Sequence, residues 1–453
     1  MMGKKPVFRK LLWQITMQMI RKHLWIKDLL SNVRQKFDKI KDATAQRSRN
    51  YSLTDCLMSG VAIFGMKYPS LLQFDKDSRY DEVVKSNLNS LYQVKTAPSD
   101  TQLRERLDVI DPNQLQRGLN AVITQLQRGK ALEAYQHLDN RYLIPMDGTG
   151  FFSSHEVHCD NCCVKEHKNG TLTYYHQALS TVIAHPDHKI VFPIALEFIQ
   201  KQDGASKNDC ELNAAKRLIV KLKTAHPHLK MRMLCDALYA NGPLIKEFIA
   251  NDMGYIIAAT KKKNPYLHQQ YSSADVTTHK VQDGTKTYVY KFCNNLPLNE
   301  THQDIKVNFV QYIELEVKEV KFYSSWITDI HLTEANIIDV VKGARCRWRI
   351  ENETFNTLKN QGYNFEHNFG HGKENLSAVM AYLMMIAFAI DQTQEFTSHY
   401  FALSLQKEGS KSSLWRKVKG LFLHFIINSW EHLYRAIIEP VKKVNLEDLL
   451  FES

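Results

Sequence analysis

Two aspartates stand where a divalent cation could bind between neighbouring strands. Asp147 follows the apolar run 142–146, and Asp236 follows a second predicted strand, 229–235. Side chains at strand exits lie at the rim of a sheet, where the ligand sites of α/β proteins form. Carboxylate oxygens suit Mg²⁺, which binds a few carboxylates together with substrate phosphate. The alternative is a pair of turn aspartates, because Asp is common where strands end.

A third carboxylate is predicted on a helix that begins at Thr333 and runs to about Lys359. Arg347 and Glu351 are four residues apart and therefore share one face of this helix. Glu351 lies beside the apolar positions that would pack on the sheet, so it could complete the metal site while Arg347 steadies it and contacts phosphate. A salt-bridged surface helix explains the same spacing. Glu353 is a rival for this role, but it points to a different face.

A second group of ligating residue types lies at 153–167. Cys159 and Cys162 have the two-residue gap of a zinc clip, and sulfur with imidazole nitrogen suits a tetrahedral structural zinc. No second Cys-x-x-Cys pair accompanies them, so a reduced, polar β-hairpin loop is the alternative. The other five of the eight cysteines are scattered along the chain, as reduced thiols are. The predicted zinc ligands are Cys159, Cys162, Cys163 and His167, with His158 as an alternative and His176 as a further candidate.

The elements that must position these residues follow from the order of the apolar segments. Three successive strands suit an antiparallel meander, and the strand–helix alternation after them suits right-handed parallel crossovers. That order is the layout of the ribonuclease H-like fold, so the expected fold class is α/β with a mixed sheet. The predicted elements are strands at 142–147, 174–185 and 189–198, a helix at 209–225, a strand at 229–235, a helix opening at 241 and a strand at 254–259.

The length of 453 residues allows two to four domains. Residues 261–330 alternate apolar with polar positions, as half-buried strands do, and Asp283-Gly284 signals a hairpin turn. This segment is interpreted as a β-rich insertion, the alternative being an elaborated edge of the sheet. The expected segments are a helical N-terminal domain at 1–140, the first part of the core at 141–260, the insertion at 261–330, the last core helices at 331–400 and a basic, helical C-terminal tail at 401–453.

The positive charge of the chain is concentrated at its beginning. The formal net charge is +11, and residues 1–50 carry 13 Lys or Arg against three Asp. A basic segment of this kind favours a polyanionic partner, nucleic acid being the usual one. A solvated basic helix without a partner is the alternative. Further on, Arg104 and Arg106 lie on a predicted helix and are candidate phosphate contacts, although a solvated helix face explains them too.

The sequence predicts no segment that spans a membrane. The longest apolar run, 378–390, has 13 residues, whereas a helix needs about 20 to cross a bilayer. The apolar stretch 11–20 is interrupted by polar residues and followed by Arg21, Lys22 and His23 rather than by a cleavage site. We therefore expect a cytoplasmic protein.

The three acidic segments, in this order and on these elements, resemble the DDE transposases of bacterial insertion sequences, over residues 145 to about 391. The family signature on the third segment is Tyr, Arg three residues later, Glu four further and Lys seven further. Arg347 and Glu351 fit it, but Ala344 stands at the Tyr position and Leu358 at the Lys position, with Lys359 one residue late. The segments that carry the resemblance are Met146-Asp147-Gly148-Thr149, Leu234-Cys235-Asp236-Ala237, Arg347-Trp348-Arg349-Ile350-Glu351, 352–360 and 362–372.

The resemblance implies a DNA transposase in which Asp147, Asp236 and Glu351 hold two Mg²⁺ ions, with Mn²⁺ as a substitute. Such an enzyme cleaves transposon ends and joins their 3′-hydroxyls to target DNA by two-metal-ion phosphoryl transfer. The implied partners are double-stranded DNA, meaning inverted-repeat ends and target, and a second copy of the chain on the DNA. The N-terminal helices would bind the ends. The alternatives are a related nuclease without strand transfer and a catalytically inactive DNA-binding protein.

Several further residues are candidate DNA contacts within this resemblance. Lys359 and Arg347 would contact phosphate. Trp326, near the end of the insertion, is a candidate for base stacking, with a core Trp as the alternative. His367, Asn368 and His371 could bind phosphate, or could form only a turn between two helices.

Overall fold

The computed structural model describes residues 24–42, 51–204, 207–367 and 369–439. The chain divides into two compact units. One is helical and draws on Met1–Gly129, Leu358–Phe365 and Asn375–Ser453; the other is built on a sheet and comprises Lys130–Thr357 and Glu366–Glu374. Most of the basic segment predicted to meet a polyanion, residues 1–23 and 43–50, lies outside the described residues, as does the end of the C-terminal tail from 440.

The sheet unit contains one large mixed sheet, as expected for the α/β class. Its strand order is β3–β4–β2–β6–β7–β11–β10–β9–β8, with β1 on β2 and β5 on β4. The strands are β1 Gln136–His137, β2 Arg141–Ser154, β3 Cys163–Glu166, β4 Leu172–His185, β5 His188–Ile199, β6 Met231–Cys235, β7 Gly254–Ala258, β8 Thr277–Asp283, β9 Lys286–Pro297, β10 Lys306–Glu316 and β11 Glu319–Thr328.

Strand direction changes at β2. On one side β2 pairs antiparallel with β4, which pairs antiparallel with β5; on the other side β2, β6 and β7 run parallel. Helices Lys207–Ala225 and Gly242–Ala250 make the connections between the parallel strands. Each helix buries one apolar face, which in the first helix includes the fully buried Leu218 and Leu222.

The β-rich segment 261–330 continues this sheet. Strands β8 to β11 form an antiparallel meander, and β11 pairs antiparallel with β7 through Trp326, Ile327 and Thr328. The turn between β8 and β9 has Gly284 at φ +59°, where a side chain would be strained. The insertion and the elaborated sheet edge considered from the sequence are therefore the same structure.

The remaining helices of the sheet unit carry the third acidic segment. Helix Ile337–Arg345 is followed by a π-helix, Ile350–Phe355, and then along the chain by helix Asn356–Asn360. The sequence predicted one continuous α-helix over this region. The π-turn interrupts it where Glu351 lies, and such turns occur frequently at functional sites. Helix Pro265–Ser272 completes the unit.

The helical unit is organised around Leu376–Thr397, the long apolar helix. This helix is long and apolar enough to cross a membrane, but 94% of its most apolar window is buried inside the protein. A helix that is apolar all round must be covered on all sides, and here the helices of both terminal regions cover it, although the sequence analysis assigned it to the core. The other helices are Ile26–Phe37, Leu53–Gly65, Leu71–Tyr80, Glu82–Tyr92, Asp100–Asp108, Gln116–Arg128, His399–Glu408, Lys411–His424 and Trp430–Ile438.

Candidate functional site

Asp147 and Asp236 lie at the same level of two adjacent parallel strands. In the β2–β6 register, Pro145 is the partner of Leu234, and each aspartate comes two residues later. Neighbouring strands are about 4.8 Å apart, so the two aspartates emerge side by side. β6 ends at Cys235, whereas β2 continues to Ser154 and pairs there only with β4. The predicted turn directly after Asp147 is therefore wrong: the rim of the sheet arises because β6 stops, not because β2 does.

Each aspartate is held by a backbone N–H group close to it in the chain. The amide of Gly148 donates to Asp147 Oδ1 at 2.9 Å, and the amide of Leu238 donates to Asp236 Oδ1 at 2.8 Å. The second arrangement turns the chain away from the strand towards the next helix. Both residues are half-buried, and in each the backbone amide occupies one of the two carboxylate oxygens.

Arg347 connects the first and third acidic segments. Its Nη1 lies 3.1 Å from Asp147 Oδ2 and 2.9 Å from Glu351 Oε1. The predicted pairing of Arg347 with Glu351 is present, and the same guanidinium also reaches the carboxylate on β2. The Arg347 side chain is 14% exposed and the Glu351 side chain 35% exposed. Asp147, Arg347 and Glu351 form an acidic cluster that is therefore accessible from one side. The guanidinium of Arg347 within it is largely desolvated.

The electrostatics of the cluster centre on Asp147. Burial, the largest cause, and the neighbouring Glu351 carboxylate together raise the pKa of its carboxyl to about 7, although the Arg347 guanidinium opposes both effects. Two carboxylates in one site disfavour each other's ionisation, and a cation between them relieves this repulsion. The site is thus built to gain from a bound positive charge. Arg347 supplies that charge here, and its guanidinium lies between Asp147 and Glu351.

The rival carboxylate, Glu353, is committed elsewhere. It pairs with Arg349 at 3.0 Å, and Arg349 also donates to the carbonyl oxygen of Pro186 at 2.9 Å. Pro186 belongs to the turn between β4 and β5, so Glu353 is directed to that turn. Its face differs from that of Glu351, as the sequence predicted.

The two tryptophans near the site have opposite environments. Trp326 is only 6% exposed and is paired within the sheet with Ala258 and Val310, so base stacking on Trp326 is wrong and the core alternative holds. Trp348, which sequence reasoning did not single out, is 50% exposed. The Arg347 guanidinium lies 4.6 Å from its ring centroid. An exposed indole beside the acidic cluster is the signal that could have drawn attention to it.

The predicted basic contacts of the helical unit also differ from one another. Arg104 forms a surface pair with Asp100 at 2.6 Å and stays accessible. Arg106 is 6% exposed and pairs with Asp42 at 2.5 Å, so it is a structural residue and not a phosphate contact. Lys359 is exposed, whereas its neighbour Leu358 is fully buried. The position seven residues after Glu351 is thus a core position in this chain.

A separate group of sulfur and nitrogen ligands converges in the sheet unit. The side chains of Cys159, Cys162, His176 and His371 bring one ligand atom each within 4.8 Å of one another, the one such group of three or more among the described residues. Cys162 Sγ lies 3.4 Å from Nε2 of both histidines. Burial and the neighbouring His371 lower the pKa of His176 to about 4, so its imidazole is neutral at pH 7. These four residues can bind a metal ion such as zinc.

This set corrects the predicted zinc ligands. Cys159 and Cys162 belong to it, but Cys163 and His167 do not. Cys163 begins β3, and its thiol points towards the carbonyl oxygen of Ile199, because adjacent residues of an extended chain face opposite sides. His167 Nε2 is hydrogen-bonded to Thr173 at 2.8 Å.

The structure places the other histidines that were predicted as contacts or ligands in different environments. His371 lies in the buried ligand cluster, so it is no phosphate contact. His367 is exposed and packs edge-on against Phe369, whereas Asn368 lies outside the described residues. His158, the alternative zinc ligand, stacks on Tyr174 with its Nδ1 directed to the carbonyl oxygen of Glu156.

Comparison with known proteins adds no assignment. No protein-family model matches this chain, and no curated protein is significantly similar to it. The functional interpretation therefore depends on the residues and their geometry.

Proposed function

We propose that this protein is a DNA transposase that cleaves transposon ends and joins their 3′-hydroxyls to target DNA. The observation that carries the proposal is that Arg347 contacts carboxylates of both the first and the third predicted acidic segments, Asp147 and Glu351, across 200 residues of sequence. Asp236, of the second segment, follows the strand adjacent to the one that carries Asp147, at the same level of the register.

The strand arrangement supports a ribonuclease H-like core. Along the sheet, β5, β4, β2, β6 and β7 follow one another, the first three antiparallel and the last three parallel. A three-strand meander followed by two crossovers produces this order. In chain order, β2 is the first of these five strands and β6 is the fourth, and the two are neighbours in the sheet. β2 carries Asp147, and Asp236 directly follows β6.

The proposed cofactors are two Mg²⁺ ions, or Mn²⁺ in their place. Carboxylate oxygens are the preferred ligands of these cations, and substrate phosphate completes their coordination. Bound there, the ions supply charge stabilisation for the attacking and leaving oxygens of phosphoryl transfer. Asp147, Asp236 and Glu351 would hold them. No covalent protein intermediate is required, so the mechanism assigns no role to a Ser or Tyr nucleophile.

Arg347 has two successive tasks in this proposal. Before cation binding it neutralises Asp147 and Glu351, whose carboxylates otherwise repel each other. With cations supplying that neutralisation, the Arg347 guanidinium would contact a DNA phosphate, a bidentate pairing that suits its planar fork. Trp348, whose ring lies beside this guanidinium, offers a face on which an unstacked base can rest.

Lys359 stays a candidate phosphate contact. A π-turn adds one residue to an α-helix. An α-helical spacing of seven residues therefore becomes eight, which is the spacing from Glu351 to Lys359 across the π-helix Ile350–Phe355. The late lysine of the signature thus has a structural explanation.

The proposed partners are double-stranded DNA and, on the DNA, a second copy of the chain, because two transposon ends must be handled together. The net charge of +11 favours a polyanion. Arg104, exposed on helix Asp100–Asp108, is a candidate contact of the helical unit. We place the reaction in the cytoplasm, where the substrate DNA of a bacterial insertion sequence lies.

The test uses labelled duplexes that carry the DNA flanking the coding region, mixed with plasmid DNA and Mg²⁺ or Mn²⁺. We expect cleavage at an inverted repeat and joining of the labelled 3′-end to plasmid. Asp147→Asn, Asp236→Asn and Glu351→Gln should abolish both steps, while the matched control Glu353→Gln retains them. Cleavage without joining would favour the nuclease, and binding without cleavage would favour the inactive DNA-binding protein.

A further inference from the structure

We infer that Cys159, Cys162, His176 and His371 form a structural zinc site, distinct from the acidic cluster. Two cysteines and two histidines are a common ligand set of tetrahedral zinc, and thiolate with imidazole selects zinc over Mg²⁺. The set combines a local Cys-x-x-Cys clip with one histidine on β4 and one that is 209 residues from Cys162 in the chain.

The spacing of the ligand atoms matches a zinc tetrahedron. Zn–S bonds of about 2.3 Å and Zn–N bonds of about 2.0–2.1 Å imply ligand separations of about 3.8 Å for S–S, about 3.6 Å for S–N and about 3.3 Å for N–N. The two sulfurs are 3.9 Å apart, and the two Nε2 atoms are 3.1 Å apart. Three of the four sulfur–nitrogen separations are 3.6, 3.4 and 3.4 Å, and the fourth is within 4.8 Å.

The surroundings fix the ligands in the orientation a metal needs. Nδ1 of His371 donates to the carbonyl oxygen of Gly372 at 2.9 Å, which leaves Nε2 as the atom with a free lone pair. The amide of Cys159 donates to Cys162 Sγ at 3.5 Å. The rings of Phe151 and Phe152 pack against the histidines at 4.3–5.8 Å between centroids.

Burial assigns the site a structural and not a catalytic role. Cys162, His371 and His176 are 2%, 5% and 9% exposed. Cys159 is half-buried, and four protein ligands leave no open position for water or substrate, which is how structural zinc sites differ from catalytic ones. The site is also remote from the acidic cluster: Phe152, which contacts His371, lies five residues beyond Asp147 on β2, about 17 Å along a strand.

The zinc would cross-link parts of the sheet unit that are distant in sequence. Residues 366–374 contain no helix or strand among those described. Through His371 the metal fixes it to β4 and to the connection between β2 and β3. Binding free energy that only the folded state can use becomes folding free energy, so metal removal should loosen this segment first.

The experiment measures the zinc content of the full-length protein, purified without chelator, by inductively coupled plasma mass spectrometry. We expect about one zinc per chain and, after exchange with Co²⁺, the visible absorption of a tetrahedral sulfur–nitrogen site. Cys162→Ser and His371→Ala should each lower the zinc content at least about tenfold, since losing one of four ligands weakens binding strongly. Cys163→Ser, a neighbouring buried thiol outside the set, should keep the metal.

A second readout keeps the inference testable where a variant folds poorly. On the wild-type chain, removal of zinc by a chelator should make residues 366–374 sensitive to protease, and added Zn²⁺ should restore protection. Metal-free wild-type protein that neither takes up Zn²⁺ nor gives the tetrahedral Co²⁺ spectrum would overturn the site. Neither readout involves DNA, so failure here is distinguishable from failure of the transposase proposal.

Discussion

The guanidinium of Arg347 lies 3.1 Å from the carboxylate of Asp147, although 200 residues separate them in the chain. The same nitrogen lies 2.9 Å from Glu351. Arg347 thus links the helical segment that follows the β-rich segment to strand β2. Such a bridge is expected where two carboxylates must be kept close together before a cation binds between them.

Arg347→Ala should therefore abolish most DNA cleavage while the chain still folds. We expect a loss of at least about 100-fold, as for removal of one preorganised charge from an active site, measured with labelled duplexes at saturating Mg²⁺. Arg345→Ala is the matched control, because Arg345 pairs with Glu314 in the insertion and should keep activity within a few-fold. Equal losses in both variants would contradict the role given to Arg347.

Trp348→Ala should weaken DNA binding without weakening the fold. The indole is 50% exposed, and stacking on one base contributes about 1–3 kcal/mol, so affinity should fall at least about fivefold. Fluorescence anisotropy with an end duplex and thermal unfolding measure the two properties. The buried Trp326 provides the contrast: Trp326→Ala should cost about 3–5 kcal/mol of stability. Unchanged affinity in Trp348→Ala would exclude it as a base contact.

His226 should make the sheet unit less stable in mild acid. Burial lowers the pKa of this side chain from 6.5 to about 4 in the folded state, so between these pH values the unfolded chain binds a proton that the folded chain does not. The free energy of unfolding therefore stays constant above pH 6.5 and falls as the pH drops towards 4, by up to about 3 kcal/mol.

The measurement is denaturant unfolding of wild type and His226→Leu from pH 4 to 7.5. Since other buried histidines titrate in the same range, the informative quantity is the difference between the two proteins. The wild type should lose stability relative to His226→Leu as the pH falls below 6.5. A difference that does not change with pH would show that the imidazole of His226 is protonated normally in the fold.

The sequence predicted local features well and long-range ones poorly. Apolar runs placed Asp147 and Asp236 at the ends of a paired stretch, and helical spacing paired Arg347 with Glu351, because these relationships depend on neighbouring residues. Gly148 was taken as the start of a turn, since one strand's composition cannot reveal that its neighbour β6 ends earlier than β2 does.

Partners that are distant in sequence were missed for the same reason. His371 was predicted to be a phosphate contact or part of a turn, because nothing near it in the chain indicates that it meets Cys159 and Cys162. Likewise the apolarity of Leu376–Thr397 predicts burial but does not identify the helices that cover it. Cys163 was wrongly predicted to be a zinc ligand. It begins a strand and faces away from the other ligands, and a short loop sequence does not reveal this alternation.

The helical unit contains a buried ion pair whose disruption should be costly. Lys67 Nζ lies 2.6 Å from Asp391 Oδ2, the same carboxylate accepts a hydrogen bond from Tyr363 at 2.5 Å, and burial lowers the pKa of Lys67. Asp391→Asn leaves the buried cation without its counter-charge and should cost about 3–5 kcal/mol. Replacing both partners, as Lys67→Met with Asp391→Leu, should cost less. Urea unfolding decides, and a double variant as unstable as Asp391→Asn would contradict this account.

The most direct test of the central claim is an anomalous difference map from crystals of a complex with end DNA soaked in Mn²⁺. The account predicts peaks about 2.2 Å from carboxylate oxygens of Asp147, Asp236 and Glu351, oxygen-ligand distances typical of such cations, with Arg347 turned away from the space between Asp147 and Glu351. A map with no Mn²⁺ on these three carboxylates, while Arg347 still bridges two of them, would contradict it.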